Sequence, residues 1–222
     1  MEKLQEKGPE ITSSNLLRRV YDEYSAGVAY IESISSDGIV GIGSCFHIGD
    51  GVFVTARHVV EKREITEIGT TTYQRQYFEI EETQASGFAR AELTYTPQRT
   101  TNFKGPFFHP DPKIDVAAII VTDIKAPTLL LGDHLDDWLG NEFVLADAVA
   151  MGYPPVPFSR HPTLITSKCE INAVVDKYTG GHPHFILSCM ARGGFSGGPA
   201  IMEDGTVLGV IVESLLENNQ PT

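Results

Sequence analysis

One serine in this chain is surrounded by glycine. In Arg192-Gly193-Gly194-Phe195-Ser196-Gly197-Gly198-Pro199, four glycines lie within three residues of Ser196. Glycines lack a Cβ, so successive backbone N–H groups can converge on one point. A nest of that kind can hold the oxyanion formed when a serine attacks a carbonyl carbon, and the N–H groups of Gly194 and Ser196 are the candidate donors. A serine hydroxyl is a poor nucleophile until a base takes its proton. His58 is the candidate base, since an imidazole gains and loses protons near neutral pH. It follows the apolar run Val52-Phe53-Val54 and the small-residue turn Thr55-Ala56. Asp115 opens a second apolar run, Val116 through Val121. A carboxylate there can hold the imidazole in one tautomer and stabilise the imidazolium. The chain order His58, Asp115, Ser196 is one of three known for serine hydrolase triads. The other histidines (His47, His109, His134, His161, His182 and His184) do not follow an apolar strand and a Thr-Ala turn. Asp111 is followed by Pro112 and no apolar run. Taken singly, the glycine cluster reads as a turn and Asp115 as a strand-edge carboxylate; the three motifs together, in order, make the case.

Strands must present these residues. Leu16, Leu17, Val20 and Tyr24 recur at helical spacing, which predicts a short helix over 16–24 capped by Ser14 or Asn15. Strands are expected over 27–33, 39–48 and 52–55, with Gly49-Asp50-Gly51 as the turn before the third and a helical turn over 56–60 carrying His58. Further strands are expected over 65–68, 77–80, 91–95 and 116–121, with 97–113 as loop. Beyond a crossover come 143–151, 164–178, 185–189, 200–202 and 207–212, with Asp204-Gly205 as a hairpin turn.

These motifs carry a resemblance. Gly43-Ser44-Cys45-Phe46 with Thr55-Ala56-Arg57-His58-Val59-Val60, then Asp115-Val116-Ala117, then Gly194-Phe195-Ser196-Gly197-Gly198-Pro199 resemble the motifs of trypsin-like serine peptidases. Within that group they are most similar to the bacterial high-temperature-requirement type. The resemblance implies an all-β chymotrypsin-like fold of two six-stranded antiparallel β-barrels, here with a short N-terminal helix. On that pattern 1–12 is a loose tail, 13–126 is the helix and first barrel with His58 and Asp115, 127–142 crosses over, and 143–222 is the second barrel with Ser196. The resemblance also places the specificity pocket at Met190, Ala191, Ile211, Val212, Glu213 and Ser214. Met190 stands at the pocket base where a trypsin-like enzyme has an acid. A buried cation without a partner loses its hydration uncompensated, so the expected preference is for a small or medium apolar residue. Glu213 pointing inward would restore a basic preference.

Composition bounds the partners. At 222 residues with 21 glycines and 13 prolines, the chain suits a turn-rich β protein with a sizeable core. A net charge of −12 argues against a basic nucleic-acid-binding face. No apolar run approaches the ~18 residues of a membrane span, and the charged start Met1-Glu2-Lys3-Leu4-Gln5-Glu6-Lys7 is unlike an export signal. Three cysteines, an odd number, suggest a reducing cytoplasm, with Cys189 a buried small hydrophobe and a Cys169–Cys189 pair as the other arrangement. His182-Pro183-His184 lacks the further ligands of a metal site. The expected chemistry uses side chains and backbone amides alone, with no metal or cofactor. The partners expected are a protein or peptide substrate and an activating protein that orders the oxyanion loop, unless the core orders it through Phe195. A catalytically silent peptide-binding module and a serine esterase are the alternative functions.

Overall fold

The computed structural model describes residues 13–81, 88–132, 142–175, 183–189, 193–212, 216–217 and 220–221. The chain opens with α1 (Ser13–Tyr24) and a 3-10 turn, then runs through β1 (Val28–Ser35), β2 (Val40–His47) and β3 (Val52–Thr55) into the single helical turn α2 (Arg57–Val60). Next come β4 (Arg63–Thr70), β5 (Gln74–Glu81), β6 (Phe88–Tyr95), β7 (Gln98–Thr100), β8 (Lys104–Phe108) and β9 (Ala117–Ile120). The second half holds β10 (Leu130–Leu131), β11 (Asp147–Gly152), β12 (Ile165–Val175), β13 (His184–Leu187), β14 (Pro199–Met202) and β15 (Thr206–Val210), followed by a two-residue pair, Leu216–Glu217 with Gln220–Pro221.

Seven strands form one sheet in the order β7-β4-β1-β2-β3-β9-β8, and six form another in the order β10-β15-β14-β11-β12-β13. The all-β, chymotrypsin-like architecture with a short N-terminal helix is the one expected, but the two sheets are not both six-stranded and antiparallel: the first has seven strands, and β10 joins the second by pairing parallel with β15. The inventory of elements differs in several places, one of them β10, which lies within the expected crossover 127–142. The stretch 97–113, expected as loop, contributes β7 and β8 to the two edges of the first sheet. Its prolines disguised it: Pro106 lies in β8, where an edge strand does not need every N–H. The strands β5 and β6 do not join either main sheet but pair with each other. Their base is tied to the end of α1, where Gln74 accepts from the N–H of Ala26 at 3.0 Å and donates to the Asp22 carbonyl, and Gln76 donates to the Glu23 carbonyl at 2.6 Å. The helix begins earlier than expected, so Ser14 and Asn15 lie in its first turn rather than capping it. The tail 1–12 lies outside the described residues.

Period-two alternation builds the core. Along β1, Ala29 and Ile31 join Cys45, Phe53, Ile68 and Ile119 in a cluster belonging to the first sheet. Val28 and Tyr30, pointing the other way, meet Phe46, Val149, Met151 and Ile201 beneath Leu17 and Val20 of α1. That second cluster draws on both sheets and the helix, so the two halves share a seam. A smaller cluster of Ala150, Cys169, Phe195 and Ile211 sits within the second half, with Ile165, Leu187 and Cys189 against it. Cys169 and Cys189 form a disulfide, which corrects the expectation that Cys189 is a simple buried hydrophobe. The antiparallel pairing of β12 with β13 brings the two sulfurs together. Cys45 is the free thiol, fully buried, and burial pushes its ionisation well above the ordinary range.

Candidate active site

Strand pairing brings His58 and Asp115 to one place. Thr55 at the end of β3 pairs with Ala117 at the start of β9, so the residues just beyond each strand meet at the same edge. Ala56 is extended, and α2 then turns His58 back towards the strand end. Asp115 grips His58 at two points. Its Oδ2 lies 2.6 Å from the ring Nδ1, and its Oδ1 accepts the His58 backbone N–H at 2.9 Å. Its own carbonyl accepts from the Arg57 N–H at 3.3 Å. Burial alone would raise the Asp115 carboxyl, but the His58 ring and backbone hydrogen bonds, the His58 charge and the Arg57 backbone together hold it below the usual carboxylate range. Arg57 steadies the short helix: it donates twice to Glu61, at 3.1 and 2.9 Å, and its guanidinium lies 4.8 Å from the centre of the Phe108 ring.

The Ser196 turn is pressed against the same region. Gly197 has φ +85°, and a Cβ on it would lie 2.1 Å from the Ser44 carbonyl, 2.3 Å from Thr55 Oγ1 and 2.9 Å from the Ala56 nitrogen. The turn thus touches the strand end that leads into His58. Ser44 N–H donates to the Ser196 carbonyl at 2.8 Å, and Gly198 N–H donates to the Phe195 carbonyl at 2.8 Å. Phe195 is 3% exposed and anchored in the chain's own core. Burying a phenyl ring in this way stabilises the turn by about 2–3 kcal/mol. Of the two arrangements expected for the oxyanion loop, this packing corresponds to ordering by the core. Ser196 is half-buried, while His58 and Asp115 keep 49% and 33% of their side chains exposed, so the site opens on the surface.

Two of the pocket residues expected from sequence lie beside this turn. Ile211 is buried; it accepts from the Gly197 N–H at 2.7 Å and donates to the Gly198 carbonyl at 2.8 Å. Val212 follows it, half-buried. Met190, Ala191, Glu213 and Ser214 lie outside the described residues, as does His182. His184 opens β13, and no group of three metal-ligating side chains occurs among the described residues. Sequence reading missed Thr55, whose hydroxyl donates to the Ser44 carbonyl at 2.7 Å, and Tyr153, whose N–H donates to the Ser44 hydroxyl at 2.9 Å. Neither residue has a local signal, because their partners lie 11 and 109 positions away.

Residues 43–210 match the family model of the trypsin-like peptidase domain. The chain belongs to the trypsin-like peptidase family. The match spans all three motif segments, from the glycine-rich part of β2 to the end of β15. Among solved structures, the chain is similar in fold to a variant of the HtrA-type protease AlgW with a tripeptide, at a TM-score of 0.60 and 15% identity over 96% of this chain and 60% of that one. It is also similar to the active form of the Rv3671c protease from M. tuberculosis, at a TM-score of 0.60 and 19% identity, covering 98% of this chain and 86% of that one. Deg5 has a TM-score of 0.58 and 18% identity, with 96% and 88% covered. This chain spans about 60% of the length of the AlgW chain. A search of curated proteins by sequence found no match. Among the described residues no helix is long and apolar enough to cross a membrane.

Proposed function

We propose that this trypsin-like family member is a serine endopeptidase that cuts peptide bonds through an acyl-enzyme on Ser196. The observation that carries the proposal is the two-point grip of Asp115 on His58, at a strand end against which the Ser196–Gly197 backbone is packed. An ionised carboxylate only accepts, so Nδ1 holds a proton and Nε2 is the basic nitrogen. In the proposed cycle His58 Nε2 takes the Ser196 hydroxyl proton as Oγ attacks the substrate carbonyl. The N–H groups of Gly194 and Ser196 hold the resulting oxyanion. His58 then gives its proton to the leaving amine, and a water, activated by the same imidazole, releases the acyl group. Apart from substrate and water, these steps use the chain's own groups.

For substrate choice we propose an apolar residue on the acyl side of the cut, received by Met190, Ala191 and Ile211, with the backbone of 212–214 pairing to the substrate as an added strand. Digestion of a peptide library by the purified chain should enrich Val, Leu or Ala at that position. Strict cleavage after Lys or Arg overturns the pocket assignment and points to Glu213, in which case Glu213→Gln should abolish the basic preference. Ester turnover without any peptide cleavage overturns the endopeptidase reading itself.

A cytoplasmic location is proposed on the odd cysteine count. The Cys169–Cys189 bond bears against it, since such bonds persist in oxidising compartments. Trapping thiols in the cells that make the protein, followed by mass spectrometry, decides: a pair found reduced supports the cytoplasm, and a pair found bonded overturns it.

A further inference from the structure

Ser44 is fully buried in β2, and every polar group it owns is committed to the active-site region. Its N–H donates to the Ser196 carbonyl at 2.8 Å, and its carbonyl accepts the Thr55 hydroxyl at 2.7 Å. Its own hydroxyl donates to the Gly194 carbonyl at 2.6 Å and accepts the Tyr153 N–H at 2.9 Å. Gly194 is the residue whose N–H is assigned to the oxyanion. It has φ +99°, and a Cβ there would lie 2.5 Å from the Tyr153 carbonyl oxygen and 2.6 Å from Pro154 Cα. One hydroxyl thus ties the 153–154 turn to the glycine that turn packs against.

We infer that Ser44 is the positioning residue of the oxyanion hole: its hydroxyl sets the orientation of Gly194 and so the aim of the Gly194 N–H. The inference rests on the serine-peptidase reading. With the carbonyl side of Gly194 clamped, its N–H can turn only about φ of Gly194 and ψ of Gly193. Glycines offer little resistance to such a turn on their own. Removing the clamp frees the peptide to rotate and leaves the buried Gly194 carbonyl and Tyr153 N–H without their partner. The cost falls on the tetrahedral state, where charge develops on the oxygen, and not on the bound ground state. Ser44 does not touch substrate; it acts through Gly194.

The test compares the parent chain with Ser44→Ala in four measurements. These are the rate of fluorophosphonate labelling, kcat and KM on a peptide amide, the affinity of a peptide boronate that forms a tetrahedral adduct on Ser196, and the affinity of the product peptide. The expected result is a loss in kcat of up to about 10²–10³-fold, the range for losing an oxyanion donor, with KM within about twofold of the parent. Boronate affinity should fall with kcat while product affinity holds. The pH–rate profile should keep its acid limb, because His58 and Asp115 are untouched. A folded Ser44→Ala with parent-like kcat and boronate affinity overturns the assignment, as does a rise in KM at constant kcat. Ser44→Cys keeps the shape with a weaker donor and serves if the alanine variant does not fold. It should show an intermediate loss in kcat and boronate affinity, and parent-like values for it overturn the assignment equally. A parent chain that takes no label overturns the peptidase reading, whereas a labelled parent with an equally fast Ser44→Ala overturns the role of Ser44 alone.

Discussion

Ser196→Ala is expected to give a folded chain that takes no fluorophosphonate label and cleaves peptides at least ~10⁴-fold more slowly than the parent. His58→Ala should cost about as much. The Ser196→Ala, His58→Ala double variant should be no worse than either single one, because the members act as a unit. Asp115→Asn should retain the fold and lose about 10⁴-fold in kcat, since an amide can offer its N–H to Nδ1 and favour the wrong tautomer. Asp115 also ties activity to acid stability. Its carboxyl is lowered in the folded chain, so its contribution to stability is complete above the ordinary carboxylate value of about 4 and is lost as pH falls through the lower folded value. Melting temperatures of the parent and of Asp115→Asn should therefore differ near neutral pH and converge in strong acid. Retention of full proteolysis by Ser196→Ala would remove the basis of the assignment.

Gly197→Ala is expected to have the second largest effect. The added methyl would meet the Ser44 carbonyl at 2.1 Å and Thr55 Oγ1 at 2.3 Å, and the φ of +85° is itself unfavourable for alanine. Backbone on both sides of the seam would have to move. Labelling at Ser196 should fall by roughly 100-fold or more, on the scale of a one-ångström displacement of a catalytic group, and thermal stability should fall with it. Gly193→Ala is the control, because no described residue lies within 4 Å of a Cβ built there. It should label at close to the parent rate. Equal behaviour of the two variants would show that the close approach at Gly197 is not what holds the nucleophile.

The parts of the site that were legible in sequence are those written in local chemistry. His58 announced itself by the strand and small-residue turn before it, Asp115 by the apolar strand after it, and Ser196 by its glycines. Hydrophobic alternation marked β1 to β3 closely, and β3 matches its expected span. Legibility failed where a residue's role depends on partners distant in the chain. Ser44 looks like any serine in a glycine-rich strand; its meaning comes from Gly194, 150 positions on. Phe195 could be read as waiting for a partner or as a core residue, and its packing against Ala150, Cys169 and Ile211 has no signal in the local sequence. Cysteine count alone did not choose between a free and a bonded Cys189, because pairing depends on the register of β12 with β13. The prolines within 97–113 argued for loop, yet two short edge strands accommodate that stretch.

The long separation between Ser44 and Gly194 has a consequence for how such a protein is made. A protease emerging from the ribosome is a hazard to itself and to its neighbours. Translation adds about 5–20 residues per second, so β2 waits roughly 8–30 s for the segment that its Ser44 must clamp. Once Asp115 and β9 have been made, in the later part of that interval, His58 can fold onto Asp115 within the first sheet, but the nucleophile and its oxyanion donors have not yet been translated. Catalytic power therefore arrives late, when the seam closes. The distance along the polypeptide between the two halves of the candidate site acts as a delay during synthesis.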